Sequence, residues 1–191
     1  MANQPATAEV LVSKTKDEII KEAKRIEEAL LISSKKHFVS AQYWSLSHMC
    51  LGLPMVVVSG IAGAEAFKQF DQQHQLAGYL SILVAVLSAI MTFLNPNERA
   101  SKHTAAGNGY DALMNRARIF SRIDCWREES EAVLSKELKD LSEQKNKLNQ
   151  SAPEPLFFAY AIAKKGIEAG EGKYEVDTPP PANKDKPDPT T

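Results

Sequence analysis

The sequence predicts an all-α protein: a hairpin of two transmembrane helices, with long cytosolic N- and C-terminal helices forming a helical or coiled-coil bundle. Three observations carry that expectation. No Asp, Glu, Lys or Arg occurs from His37 to Ala64, a run of 28 residues, nor from Gln72 to Asn97, a run of 26, in a chain that is 25% charged. Outside those runs, apolar residues recur at three- and four-residue spacing, the period of an amphipathic helix. Strand character is almost absent.

Whole-chain composition hides this layout. Lys and Arg number 23 against 24 Asp and Glu, so no basic excess exists to cover phosphates, and direct nucleic-acid binding is not expected. Two cysteines, Cys50 and Cys125, cannot build a disulfide framework. Aromatic residues at 7% are too few for a base-stacking platform.

Residues 1–14 are expected to be a flexible start. A cytosolic helix over 15–43 follows, because Thr15-x-x-Glu18 resembles a capping box and Ile19, Ala23, Ile26 and Leu30 make one apolar stripe. With few breakers before Pro54, this helix is expected to continue into the first span, 44–66. That span is diluted by Gly52, Pro54, Ser59, Gly60 and Gly63. A short outer loop, 67–75, precedes the second span, 76–94. Its ten Leu, Ile, Val or Phe residues supply roughly −3 to −6 kcal/mol of insertion free energy. Both apolar cores have about the 20 residues needed to cross ~30 Å of hydrocarbon. The alternative is a hydrophobic hairpin buried in a soluble bundle, but so short a chain has little surface with which to cover two all-round apolar helices.

Lys24, Arg25, Lys35 and Lys36 precede the first span, and Arg99, Lys102, Arg116, Arg118 and Arg122 follow the second. The loop offers only Lys68. The positive-inside rule then puts both termini in the cytoplasm. Asn95-Pro96-Asn97-Glu98 starts a long helix over 95–150. Tyr110, Leu113, Ala117 and Phe120 form a seam that Leu134, Leu138, Leu141 and Leu148 resume. Asp124, Arg127 and Glu131 interrupt it, which predicts a bend or break near 124–131. A short helix over 151–169 and a disordered, proline-rich tail over 170–191 complete the chain.

No catalytic motif, phosphate loop or metal-ligand spacing stands out, so no catalytic residue, cofactor or metal is assigned and an enzyme is not expected. His48, at the edge of the first span, reads as an interfacial residue beside Trp44, with a proton or ion path as the alternative. The spans carry packing chemistry instead. Ala77, Ser81, Ala85 and Ala89 lie four residues apart, as do Ser59 with Gly63 and Gly60 with Ala64, which lets helices approach closely. Ser81, Ala85, Ser88 and Thr92 share a face. They could line a water-filled path in an oligomer, or bond to backbone carbonyls and face the first span; the two readings stand equal at this point.

His37, Phe38, Ala41 and Tyr43, then Leu51-Gly52-Leu53-Pro54, open the first span. Asn95-Pro96-x-Glu98 and Ala100-x-x-His103-x-x-Ala106-Gly107-x-x-Tyr110-x-x-Leu113 follow the second. Ala152-Pro153, Tyr160-Ala161 and Ala163-Lys164-Lys165-x-Ile167-x-x-Gly170 come last. In this order and spacing the chain resembles the SLATT family, the SMODS- and SLOG-associating two-transmembrane effector domains, over about residues 15–170. The resemblance implies a bacterial inner-membrane effector of antiviral defence. Such a protein oligomerises into a pore or disrupts the membrane when a partner sensor or nucleotide signal, encoded nearby, triggers it. His37, Tyr43, Gly52, Pro54, His103, Gly107 and Tyr110 match the family pattern, with a structural role near the interface expected for each. The lipid bilayer and further copies of the chain are the expected partners. The alternative is a membrane-anchored helical scaffold that recruits a cytosolic partner without forming a pore.

Overall fold

The computed structural model describes residues 5–66, 75–127, 129–174 and 176, with most side chains described from Lys14 onward. It is all-helical, with no strand among the described residues. The elements are α1 (Pro5–Ala66), α2 (Gln75–Leu94), α3 (Pro96–Arg122), a 3-10 turn (Asp124–Trp126), α4 (Glu131–Ser151) and α5 (Ala159–Glu168). The expected outer loop, with Lys68, lies outside the described residues except for Gln75, which opens α2.

The helix α1 is the spine. Its 62 residues extend over roughly 93 Å at ~1.5 Å per residue. The stretches 15–43 and 44–66 are thus one helix, as the scarcity of breakers led us to expect. Two expectations about its start are corrected. Thr15 and Glu18 lie inside the helix rather than capping it, and Glu18 pairs with Lys21 at 2.8 Å. The expected flexible start over 1–14 is not found where the chain is described: the helix opens at Pro5, and residues 1–4 lie outside the described residues. Proline suits a first turn, where its missing N–H is not needed.

The helices α2 and α3 run antiparallel to α1 in succession. Ser88 meets Met55 and a methyl on Gly52 would lie 3.8 Å from Met91. Further down, Arg99 sits 5.0 Å over the Trp44 ring and Arg122 lies 4.0 Å from Glu27. Between α2 and α3 only Asn95 leaves helical geometry, at φ 41 and ψ 56, a left-handed conformation that asparagine tolerates. Its N–H still bonds to the Met91 carbonyl at 2.9 Å, and its carbonyl accepts the Arg99 N–H at 3.2 Å. Pro96 and Glu98 occupy the first turn of α3, as expected.

The long helix expected over 95–150 is instead two antiparallel helices. The chain reverses at 123–130, where Asp124, Arg127 and Glu131 interrupt the apolar seam. The two halves of the seam therefore face each other rather than continuing in line. Tyr110, Leu113, Ala117 and Phe120 of α3 meet Leu134 and Leu141 of α4 and Ile19, Ala23, Ile26 and Leu30 of α1 in one buried core. Arg116 ties α3 to α4 through Glu137 and, at 2.7 Å, Asp140. These groups are partly exposed, so the pairs fix register more than they stabilise.

The expected helix over 151–169 is shortened. Residues 152–158, with Pro153 and Pro155, form an irregular strap, and α5 occupies only Ala159–Glu168. Gly170, at φ 99, closes α5 with the N–H of Gly170 on Ile167 O and that of Glu171 on Gly166 O, both at 3.0 Å. This is a Schellman ending. Part of the expected disordered tail is also corrected. Glu171 bonds to Lys35 at 2.6 Å, and Tyr174 lies 4.5 Å below the Arg118 guanidinium, so residues 170–174 dock on the bundle. The tail beyond residue 176 lies outside the described residues.

The apolar half of α1 and the whole of α2 form an arm beyond this core. Their most apolar windows have mean hydropathies of 1.6 and 2.2, and no part of either window is buried. Leu53, Val56 and Phe93 stand 66%, 70% and 86% exposed. Both helices are long and apolar enough to cross a membrane.

Candidate functional site

Where the arm joins the core, two histidines meet inside the α1–α3 interface. Leu30, Ser34, His37 and Ala41 fall on one buried face of α1, and Ala100, His103, Gly107 and Tyr110 on the facing side of α3. His37 Nδ1 and His103 Nδ1 are 3.1 Å apart, with the residues only 1% and 3% exposed. The His37 ring lies nearly parallel to that of Tyr110, 5.3 Å between centroids. The Tyr110 hydroxyl donates to Asn149 Oδ1 of α4 at 2.9 Å. One turn on in α1, the buried Ser40 hydroxyl donates to the Lys36 carbonyl at 2.8 Å and accepts the Leu156 N–H at 3.1 Å. A single layer of polar contacts therefore joins α1, α3, α4 and the strap before α5.

The histidine contact has strict proton arithmetic. A hydrogen bond between two Nδ1 atoms needs one N–H and one lone pair, so a neutral pair holds one proton between them. Placing a proton on both Nδ1 atoms would set two donors face to face, and charging both rings would add the repulsion of two cations. Burial, then the neighbouring His103 and Lys36, push His37 down to about 4 from its ordinary 6.5. Burial and Arg99 lower His103 as well, and burial raises Tyr110. The site is thus built to stay uncharged at neutral pH. Two imidazoles alone do not make a metal centre, and no group of three His, Cys, Asp or Glu residues converges among the described residues.

Close approach at this level depends on Gly107. A Cβ there would fall 2.9, 3.0 and 3.1 Å from three ring atoms of Phe38. Of the seven residues matching the family pattern, the structure brings together His37, His103, Gly107 and Tyr110. Tyr43 is 51% exposed, 4.5 Å from the Phe158 ring. Gly52 faces α2, and Pro54 lies on the exposed side of α1.

The small residues of the arm behave differently from the close-packing expectation. Ser59, Gly60 and Gly63 of α1, and Ser81, Ala85 and Ala89 of α2, are exposed, and nothing lies within 4 Å of a Cβ at Gly60 or Gly63. Only Ala77 of that ridge is partly covered. The half-buried seam is Leu51, Gly52, Met55, Val58 and Ala62 against Leu80, Val84, Leu87, Ser88 and Met91. Larger side chains at three- and four-residue spacing bury more apolar surface than an alanine ridge, which gives them the contact. Ser81 and Thr92 bond back to the Ala77 and Ser88 carbonyls at 2.8 and 2.9 Å, while Ser88 reaches the Met55 sulfur at 3.1 Å. His48 is exposed on α1. Ser40 and Asn149 were not singled out by sequence, where each is an ordinary helical residue, and Phe38 stood there only as part of the family motif.

Between pH 6.5 and 4 the unfolded chain binds more protons at His37 than the folded one. The stability supplied by the neutral pair is therefore complete above about 6.5 and is lost as pH falls to about 4, roughly 3 kcal/mol in all. Thermal unfolding of the full chain in detergent should show a lower Tm at pH 5 than at pH 7.5. His37→Gln, which keeps a hydrogen-bonding partner for His103 without titrating, should shrink that difference; an unchanged difference would show that another group is responsible. Gly107→Ala gains up to about 1 kcal/mol of helix propensity but costs about 1–3 kcal/mol in overpacking against Phe38. A lower Tm is expected, recovered in part when Phe38→Ala is added.

Compared with protein-family models, curated proteins and solved structures, the chain matches none.

Proposed function

We propose that this chain is a bacterial membrane effector of the SLATT type. In this reading α1 and α2 cross the inner membrane as a hairpin, and the bundle and both termini lie in the cytoplasm. The single observation that supports it best is the bare arm: two antiparallel helices with wholly uncovered apolar windows, attached to a bundle that carries the charge. Arg99 over Trp44 fits a boundary at the headgroups, where aromatic rings and cations collect. Two helices cannot enclose a channel, so pore formation or membrane disruption requires several copies. A partner sensor or nucleotide signal would act by binding the open assembly better than the resting one. Because α1 belongs to both halves, any tilt imposed on the bundle is transmitted into the membrane.

One observation favours a membrane-anchored scaffold instead. Ser81 and Thr92 already satisfy their hydroxyls on their own helix, which a path for water or ions does not require. The two readings separate on one experiment. Expressed in a bacterium with its trigger, a pore former collapses the membrane potential, and Ser81→Leu with Thr92→Leu prevents this while the protein remains assembled in the membrane. A scaffold leaves the potential intact and tolerates both changes; intact potential with the trigger present would sink the effector reading.

A further inference from the structure

The strap leaving α4 ends in an aromatic tip that the bundle does not cover. Phe157 is 94% exposed, the most exposed large apolar side chain among the described residues. It is held rather than loose. Leu156 is fixed to the buried Ser40 of α1 by its N–H, Phe158 packs on Tyr43 at 4.5 Å, and Phe157 stands edge-on to Phe158 at 5.1 Å. Tyr160, 54% exposed, begins α5 beside them. The buried Ala159 and Ala163 seat α5 on α1. The helix then runs away from the arm, since Glu171 lies against Lys35 and Gly172 against Leu31. Phe157 is therefore the arm-facing end of this unit.

Its height follows from its anchors. Ser40 and Tyr43 lie within about 6 Å, at ~1.5 Å per residue, of Trp44, where the apolar run of α1 begins. The headgroup layer on each side of a ~30 Å hydrocarbon core is about 5–7 Å thick. We infer that the Pro155–Tyr160 tip is a third membrane contact, with Phe157 entering the headgroup layer of the leaflet from which α1 and α2 enter. This rests on the hairpin reading above. The tip continues the apolar surface of α1 through Tyr43 and Trp44, with Arg99 beside them, so the occupant it fits is the bilayer interface rather than a separate protein. It also fastens the strap, and through Ser40 the histidine layer, to the membrane surface.

Brominated lipids test this in nanodiscs holding the full chain, using one tryptophan at a time. In a Trp126→Phe background, Trp44 reports the first crossing. In a Trp44→Phe, Trp126→Phe background, Phe157→Trp places an indole at an exposed site where another aromatic ring can keep the edge-on contact with Phe158. Bromines just below the headgroups should remove most emission from both positions. Quenching of Trp44 without quenching at position 157 overturns the membrane contact and leaves the hairpin standing. No quenching at either position overturns the hairpin, and the contact with it. As a second measure, Phe157→Glu should speed hydrogen exchange over 154–160 in nanodiscs; exchange equal to that of the unaltered chain also overturns the contact.

Discussion

Everything in this molecule is referred to one unbroken helix. A charge-free backbone in hydrocarbon must satisfy its own N–H and C=O groups, and helix is the form that does so without partners. In α1 that form continues from the bare apolar half into the packed half without a joint, through Pro54. Each other helix is registered against it: α2 at Met55, α3 at His37 and Trp44, α4 through the core it shares with Ile19 to Leu30, and α5 near Ser40 and Lys35.

The two halves of α1 are held by different physics. Below the junction, Ile19, Ala23, Ile26 and Leu30 are sealed into a core with α3 and α4. Above it, the contact with α2 is a half-buried seam and the outer faces are left bare, so the surroundings must supply the rest of their burial. The histidine layer lies between the two regimes. It is polar enough to need every partner and buried enough that an added charge is costly, and that combination makes it the place where the α1–α3 interface is most sensitive. The small residues on the outer faces of both arm helices leave room for close approach by another helix, consistent with the assembly proposed for function.

The coarse plan was legible in the chain because burial and charge write periodic patterns. The two charge-free runs, the stripe from Ile19 to Leu30 and the start at Asn95-Pro96 all correspond to helices found in the structure. Three features were not legible, each for a physical reason. A heptad seam fixes which residues face inward but not whether its second half runs on or folds back, so Leu134 and Leu141 were expected in line with Phe120 rather than opposite it. The ridge from Ala77 to Ala89 matched a close-packing pattern, yet larger neighbours took the contact. The pairing of His37 with His103 depends on a tertiary contact across 66 positions. From the sequence, each histidine was only a residue in a family pattern, with no sign that the two would share a proton.

Bundle and arm share one helix, so that movement in one is movement in the other. Nitroxide labels at the exposed positions Glu28 and Ile61 of α1, in the full chain with Cys50→Ser and reconstituted in lipid nanodiscs, measure this directly. An unbroken helix predicts a narrow distance distribution centred near ~50 Å, from ~1.5 Å per residue. A broad distribution, or one centred well short of that value, would mean that α1 breaks between the bundle and the arm, and would contradict a single rigid helix.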